Sequence, residues 1–366
     1  MRTYSRTVLC GGLILLATAV GFAGEDAKIK GKPLSKWLSQ LRSENRGLQV
    51  RAARALAEAP KELHGKVIPE VIPILGSDRK NDRAFAAQVL GAYGPAARAA
   101  VPHLLPLFKD DQFERNRTAA AQALGHILAD AKSDKEVDGA VAALISVFDD
   151  LYVDVRREAV TACGRIGLAA KACIPHLPDR MEDVKHHAVG DGNANKDVHA
   201  AAAWTAGRMG KLSAKHIDLL IAMLHREDRN HRVSERVVTA VGLIGAVHKN
   251  VVPNVLDSLE KVIAEGSYGP IPYRIELVKA HFETLMRFEP KDLAVAVGPM
   301  VGHLKKSGPR YDFIAIGAME VLTRIGKPAA EKAIPVIEGQ FANSKNVDVK
   351  KAAEAALAAI KGEKKE

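Results

Sequence analysis

The sequence predicts an all-α protein, a right-handed α-solenoid of about eight helical hairpins. Three observations predict it. One apolar template, i, i+3, i+4, i+7, recurs along the chain and marks one face of a helix each time. Between its copies lie Ala-rich segments that close on small residues or a Gly-x-x-Gly step. Finally, 366 residues with 47% apolar but only 5% aromatic content exceed one globular core yet favour close helix packing by Ala, Leu, Ile and Val.

The first 23 residues differ from the rest. Arg2 and Arg6 precede an uncharged run from Val8 to Val20, followed by the small residues Gly21, Ala23 and Gly24. These are the three parts of a secretory signal peptide, over residues 1–23. Cleavage after Ala23 fits the small-residue positions best, and cleavage after Gly21 is second. The run falls short of the roughly 20 residues a membrane helix needs, so no transmembrane segment is expected after processing. The protein is expected to be exported, to a periplasm or the extracellular space. Of the three cysteines only Cys163 and Cys173 then remain. They read either as two small core residues or as one bond across a helix turn; they are too few for a disulfide framework.

Residues 24–46 form a lead-in. Leu34, Trp37, Leu38 and Leu41 share one face of a helix that would cover the first repeat. The repeats occupy residues 47–361. Full templates are Ile68/Val71/Ile72/Leu75, Val101/Leu104/Leu105/Phe108, Val141/Leu144/Ile145/Phe148, Ile217/Leu220/Ile221/Leu224, Val252/Val255/Leu256/Leu259 and Val297/Met300/Val301/Leu304. Ile174/Leu177/Met181 and Ile334/Ile337/Phe341 are partial. Their first residues are spaced by 33, 40, 33, 43, 35, 45 and 37, so insertions fall in loops. Pro69, Pro102, Pro175, Pro253 and Pro335 follow the first apolar position, where a proline suits the start of a helix. Pro73, Pro106 and Pro178 lie deeper and predict late starts or kinks. The Ala-rich segment ahead of each is the first helix of a hairpin; in one of them Val155, Ala159, Ala162, Cys163 and Ile166 keep one face, and a terminal glycine stops it. A charged tail, residues 362–366, ends the chain.

Asp154-Val155-Arg156, Asp197-Val198-His199, Asp348-Val349-Lys350 and the shortened Asp82-Arg83 precede such Ala-rich helices. With the Gly-x-x-Gly and Ile-Pro-x-Leu elements, the chain resembles the HEAT-repeat family, in the short bacterial form also seen in phycobilin lyase-like proteins, over roughly residues 47–361. The resemblance implies that the Asp and basic positions support helix starts and contacts between neighbouring repeats. Asp there would cap free N–H groups and meet the positive end of the helix dipole. His199 and Lys350 replace the expected arginine, which interrupts a continuous ladder.

Catalytic motifs are missing. The resemblance admits enzymes such as deoxyhypusine hydroxylase, whose irons need His-Glu pairs, and this chain has no His-Glu dipeptide. A phycobilin lyase or a HEAT-like DNA glycosylase, for which Trp204 would be a candidate, is opposed by the export signal. His176, His186, His187, His199, His216, His225 and His231 crowd one third of the chain beside Asp183 and Asp191, yet show no metal-ligand spacing. Ser258-Leu259-Glu260-Lys261 matches a Ser-x-x-Lys pattern on an amphipathic helix without supporting motifs. No catalytic residue, metal or cofactor is therefore expected.

The formal charge is +10, and loss of Arg2 and Arg6 with the signal leaves +8. In an exported chain this favours anionic envelope surfaces or acidic protein partners over nucleic acid. The reading is a non-catalytic protein-interaction scaffold; the alternative is an enzyme or metal-dependent accessory factor of the lyase-like type. The second helices are expected to line the concave wall and present His103, Lys109, His176, Arg180, His225, Arg226, His303, Lys305 and Lys306 to a partner.

Overall fold

A computed structural model describes residues 26–182, 192–226, 231–264, 271–306 and 312–362. The signal segment, the part of the His-rich stretch that holds Asp183, His186, His187 and Asp191, and the last four residues of the tail lie outside the described residues.

The described chain is a helical stack with one short exception. Lys28–Ile29 and Lys32–Pro33 pair as a two-residue hairpin ahead of α1 (Leu34–Leu41). Leu34, Trp37 and Leu41 are buried, as their spacing predicts, and Trp37 Nε1 donates to Ile29 O at 2.8 Å, which fixes the hairpin on the helix. Eight hairpins follow. Their first, Ala-rich helices are α2 (Arg46–Ala57), α4 (Lys80–Ala92), α6 (Glu114–Ile127), α8 (Val153–Ile166), α10 (Gly192–Met209), α12 (His231–Ile244), α14 (Ile271–Arg287) and α16 (Asp312–Ile325). Their second helices are α3 (Lys61–Val71), α5 (Val101–Asp110), α7 (Lys135–Ser146), α9 (Leu177–Met181), α11 (Ile217–Leu224), α13 (Val251–Ala264), α15 (Val297–Lys306) and α17 (Ala330–Gln340), and α18 (Val347–Lys361) ends the stack. First helices pack on first helices and second on second, so the two form separate layers of one continuous core.

The glycines of the Gly-x-x-Gly steps divide two tasks. The second of each pair stops the helix: Gly94, Gly167, Gly210 and Gly245 all take positive φ, which only glycine adopts without strain. The first lets neighbouring backbones touch. A Cβ on Gly91 would stand 2.9 Å from Ala123 Cα, on Gly125 2.7 Å from Ala162 Cα, and on Gly207 2.8 Å from Ala240 Cα. Gly125 thus does not end its helix; α6 runs on to Ile127, and Asp130 supplies the positive φ in the turn after it.

This close approach distinguishes the two layers. In the second layer the buried positions are large, such as Leu104, Leu107 and Phe108 on α5 or Leu220 and Leu224 on α11, and larger contact residues hold helix axes further apart. The Ala-rich first helices therefore stack more closely than the second helices.

Prolines behave less uniformly than predicted. Pro102 and Pro253 sit in the first turns of α5 and α13, but Pro69 and Pro335 lie inside α3 and α17, and Pro175 lies in the 3-10 segment Gly167–His176. Missing N–H groups are tolerated where the backbone tightens: α3 gives way to the 3-10 segment Ile72–Gly76 soon after Pro69. Pro178 opens the late, short α9. Capping also departs from expectation. Asn45, Asp134 and Asn346 accept the first N–H groups of α2, α7 and α18, while Asp154 and Asp348 are the second residues of α8 and α18, inside the first turn and past the cap position.

Candidate functional site

The arginine expected at the start of each Ala-rich helix forms a ladder, but its acids come from turns. Arg83 Nη1 donates to Ser77 O at 2.7 Å, Arg117 Nη1 to Asp111 O at 2.9 Å, and Arg156 Nη1 to Asp150 O at 2.8 Å. Each arginine thus closes the turn six residues before it. Arg83 then reaches Asp111 of the next turn at 2.6 Å, and Arg117 reaches Asp150 through two bonds of 3.0 and 3.1 Å. In the first hairpin Gln49 takes the place of arginine and donates to Asp82 Oδ1 at 2.7 Å. Asp82, Asp111 and Asp150 are the linking acids; Asp154 instead pairs with Arg157 of its own helix at 2.5 Å. The recurring acid six residues before an arginine, Asp111 to Arg117 and Asp150 to Arg156, was the signal in the sequence that marks the last two. Burial would raise the Asp111 carboxyl, but bonds from Arg83, the Phe113 N–H and Asn116, with the Arg83 charge, outweigh it and hold Asp111 below the usual carboxylate range.

The nine candidate contact residues lie on or beside four second helices, and two of them do not face solvent. His103 and Lys109 on α5 are exposed, His103 beside a cavity of about 490 Å³ that Pro102, Pro106 and Arg83 also line. His176 is exposed, its ring edge-on to Phe148 with centroids 6.4 Å apart. Lys305 and Lys306 are exposed at the end of α15. His225 and Arg226 are half-buried, His225 Nε2 lying 3.0 Å from Asn254 Oδ1 and Nδ1 3.4 Å from Asp257.

Arg180 and His303 are corrections. Arg180 is 5% exposed; it donates to Phe148 O at 2.7 Å and lies 2.8 Å from Asp149, tying its hairpin to the preceding one. His303 is 4% exposed with Nε2 3.3 Å from Glu260. Burial lowers its pKa; the Glu260 charge partly offsets this and the Lys306 charge adds to it. Both were placed outward by helical period alone, whereas each inter-hairpin seam can bury the flank of a helix as well as its core face.

Reactive groups are enclosed. Ser258, in the Ser-x-x-Lys pattern, meets a residue the sequence analysis did not single out: His281 Nε2 lies 3.0 Å from Ser258 Oγ, with His281 Nδ1 2.8 Å from Leu277 O. That carbonyl makes Nδ1 the protonated nitrogen and Nε2 the acceptor for the hydroxyl, which is the tautomer of a hydrolytic pair. At 2% and 0% exposure, the two tie α13 to α14 without access for a substrate. Cys163 and Cys173 are buried free thiols, and their mutual hydrogen bond, followed by burial, pushes the Cys163 thiol up. Among the described residues no group of three His, Cys, Asp or Glu could hold a metal ion, and no helix is long and apolar enough to cross a membrane.

Two cavities open on the Ala-rich layer. One, of about 320 Å³, lies over α8, α10 and α12 and is lined by Arg157, Arg165, Arg232, Arg236, Trp204 and Asp197. The other, of about 550 Å³, separates α14 from α16, where Phe282 interrupts the small-residue contacts; a Cβ on Gly317 would stand 2.5 Å from its ring. Sequence analysis passed over both, because it drew its candidate contacts from the second helices.

These elements define a two-layered α-solenoid held by an inter-repeat ladder and presenting surface in place of a reactive centre. Residues 34–125 match the family model for HEAT repeats, and the remaining described hairpins continue the same two-layer arrangement. None of the curated proteins matches the chain. Among solved structures it is similar to an engineered protein, at 18% identity and a TM-score of 0.55 over 90% of this chain and 88% of that one. It is also similar to importin beta, at 12% identity and a TM-score of 0.66 over 89% of this chain and 49% of that one. In a Kap95:Nup1 complex the values are 15% and 0.64, over 90% and 46%. The chain spans about half the length of these importin chains.

Proposed function

We propose that the protein is an exported, non-catalytic scaffold that holds a protein partner on the concave wall of its HEAT-repeat stack. One observation carries this reading. The Ala-rich layer is packed backbone to backbone, so its outward side chains are set on a rigid, extended surface at little further cost in conformational entropy. The enclosure of Ser258, His281 and both thiols supports it, since none of these four side chains reaches solvent. Export rests on the charged, apolar and small-residue segments of residues 1–23. A stack more tightly spaced in one layer bends toward that layer, so we take the wall to be the Ala-rich layer in place of the second helices. A basic mature chain favours an acidic partner, whose on-rate should fall as salt screens the charge over about 8 Å at physiological ionic strength.

Affinity capture with the mature protein from its own envelope fraction tests the proposal. A stoichiometric protein partner, released as salt rises, is the expected result. Recovery of no protein from that fraction, or turnover of a small molecule by the purified chain, would sink it.

A further inference from the structure

The arginine-rich cavity over α8, α10 and α12 is built around an aromatic side chain. Where α4 meets α6, α6 meets α8 and α10 meets α12, the close contacts run through Gly and Ala. Here Gly164 leaves room for an indole, a Cβ at that position standing only 2.4 Å from the Trp204 ring. Thr205 Oγ1 donates to Val160 O at 2.9 Å and fixes the same turn of α10 to α8. Trp204 is thus held in place as one wall of the cavity, and the Arg236 guanidinium lies over it, 5.9 Å from the ring centroid.

Charge accounting singles out two guanidiniums. Arg157 pairs with Asp154 at 2.5 Å and with Glu158 at 3.3 Å, and Arg232 pairs with Asp197 at 3.0 Å. Arg165 is 3.6 Å from Glu158, too far for a hydrogen bond, and its buried Nη1 makes none among the described residues. Arg236 has the Trp204 face as its contact and no carboxylate of its own among those residues. At 5.9 Å the ring engages the charge without taking up the N–H groups, which keep the fork that fits a carboxylate.

We infer that this cavity is a recognition site for carboxylate side chains of an acidic, extended segment of a partner protein, taken by Arg236 and Arg165 with Trp204 as the wall. The assignment rests on the scaffold reading and names where on the inner wall the partner is held. Nucleic acid fits less well. Asp154, Glu158 and Asp197, each paired with or facing an arginine of the cavity, interrupt any continuous track for phosphates.

Fluorescence anisotropy of a labelled oligoglutamate peptide with the mature chain tests it, with a Gly/Ser peptide and oligothymidine as comparison probes. Saturable binding is expected for oligoglutamate, weakened roughly tenfold or more by Arg236→Gln, and again by Arg165→Gln, with unchanged melting curves. Lys305→Gln and Lys306→Gln, on the other layer, should leave it unaltered. Absence of saturable binding, equal affinity in Arg236→Gln and wild type, or tighter binding of oligothymidine would overturn the assignment. The two readings fail separately. A captured partner that binds the Arg236→Gln, Arg165→Gln protein as well as wild type keeps the scaffold and removes this site. Oligoglutamate binding by a protein that captures nothing keeps the site and removes the scaffold.

Discussion

Arg117 offers the sharpest test of what couples one hairpin to the next. Its guanidinium makes two bonds to Asp150 and one to Asp111 O, lies 5.5 Å from the Tyr152 ring centroid, and its side chain and that of Asp150 are each 12% exposed. Arg117→Met keeps the aliphatic bulk but leaves Asp150 without its cation, a loss near the lower end for a broken buried pair, about 3 kcal/mol. Asp150→Asn should cost about 2 kcal/mol, because its side-chain oxygen still accepts from the Tyr152 N–H, now 2.9 Å away. The double variant should cost little more than Arg117→Met alone, giving a coupling of about 2 kcal/mol in a double-mutant cycle. Urea unfolding followed by circular dichroism measures it. Because the pair bridges neighbouring repeats, the transition should also broaden, as expected for a stack whose cooperativity lives in its interfaces. The exposed pair Lys279–Glu276, 3.0 Å apart with side chains 50% and 64% exposed, is the reference and should couple by under about 0.5 kcal/mol. A coupling for Arg117 and Asp150 no larger than that would refute the ladder as an energetic link.

Three further outcomes follow from the same packing. Gly125→Ala drives a methyl into the Ala162 backbone and should destabilise by about 1–3 kcal/mol, whereas Gly139→Ala on α7, where a Cβ meets nothing within 4 Å, should stabilise by about 0.5–1 kcal/mol; thermal melts that move in the same direction for both would contradict the two-layer spacing. The carboxyl of Asp111, depressed in the folded state, contributes stability that is present above its unfolded value of about 3.9 and is lost as pH falls through the lower folded value. Asp111→Asn should therefore flatten that part of the acid limb of a stability-versus-pH curve, and an unchanged limb would argue against the pair with Arg83. Cys163 and Cys173 should ignore a thiol reagent in the native protein and both react in denaturant, so reaction before unfolding would place them nearer the surface than their full burial.

Much of the fold was legible because it is local. The i, i+3, i+4, i+7 template, the Ala-rich helices and the glycine stops each act within a few residues, and helical period converts them directly into faces. Leu34, Trp37 and Leu41 are buried where that period puts them. The candidate site was much less legible. Period says which side of a helix is apolar, but Arg180 and His303 lie on the flanks, and whether a flank is covered depends on the neighbouring hairpin.

By itself, then, the sequence determined the repeat, the order of helices within it, the ends of most Ala-rich helices and the charge the stack would carry. Only the tertiary structure decided which layer is the more closely spaced. That depends on the difference between two spacings, backbone contact at Gly91, Gly125 and Gly207 against Leu and Phe contacts in the other layer, and no single helix holds both. It also decided which acids join the ladder, since Asp111 and Asp150 meet Arg83 and Arg117 about thirty residues away, a distance over which neither helical period nor capping preference acts. The grouping of Arg165, Trp204 and Arg236 from three successive helices has the same origin: hairpin stacking brings together side chains whose separation along the chain varies with loop length.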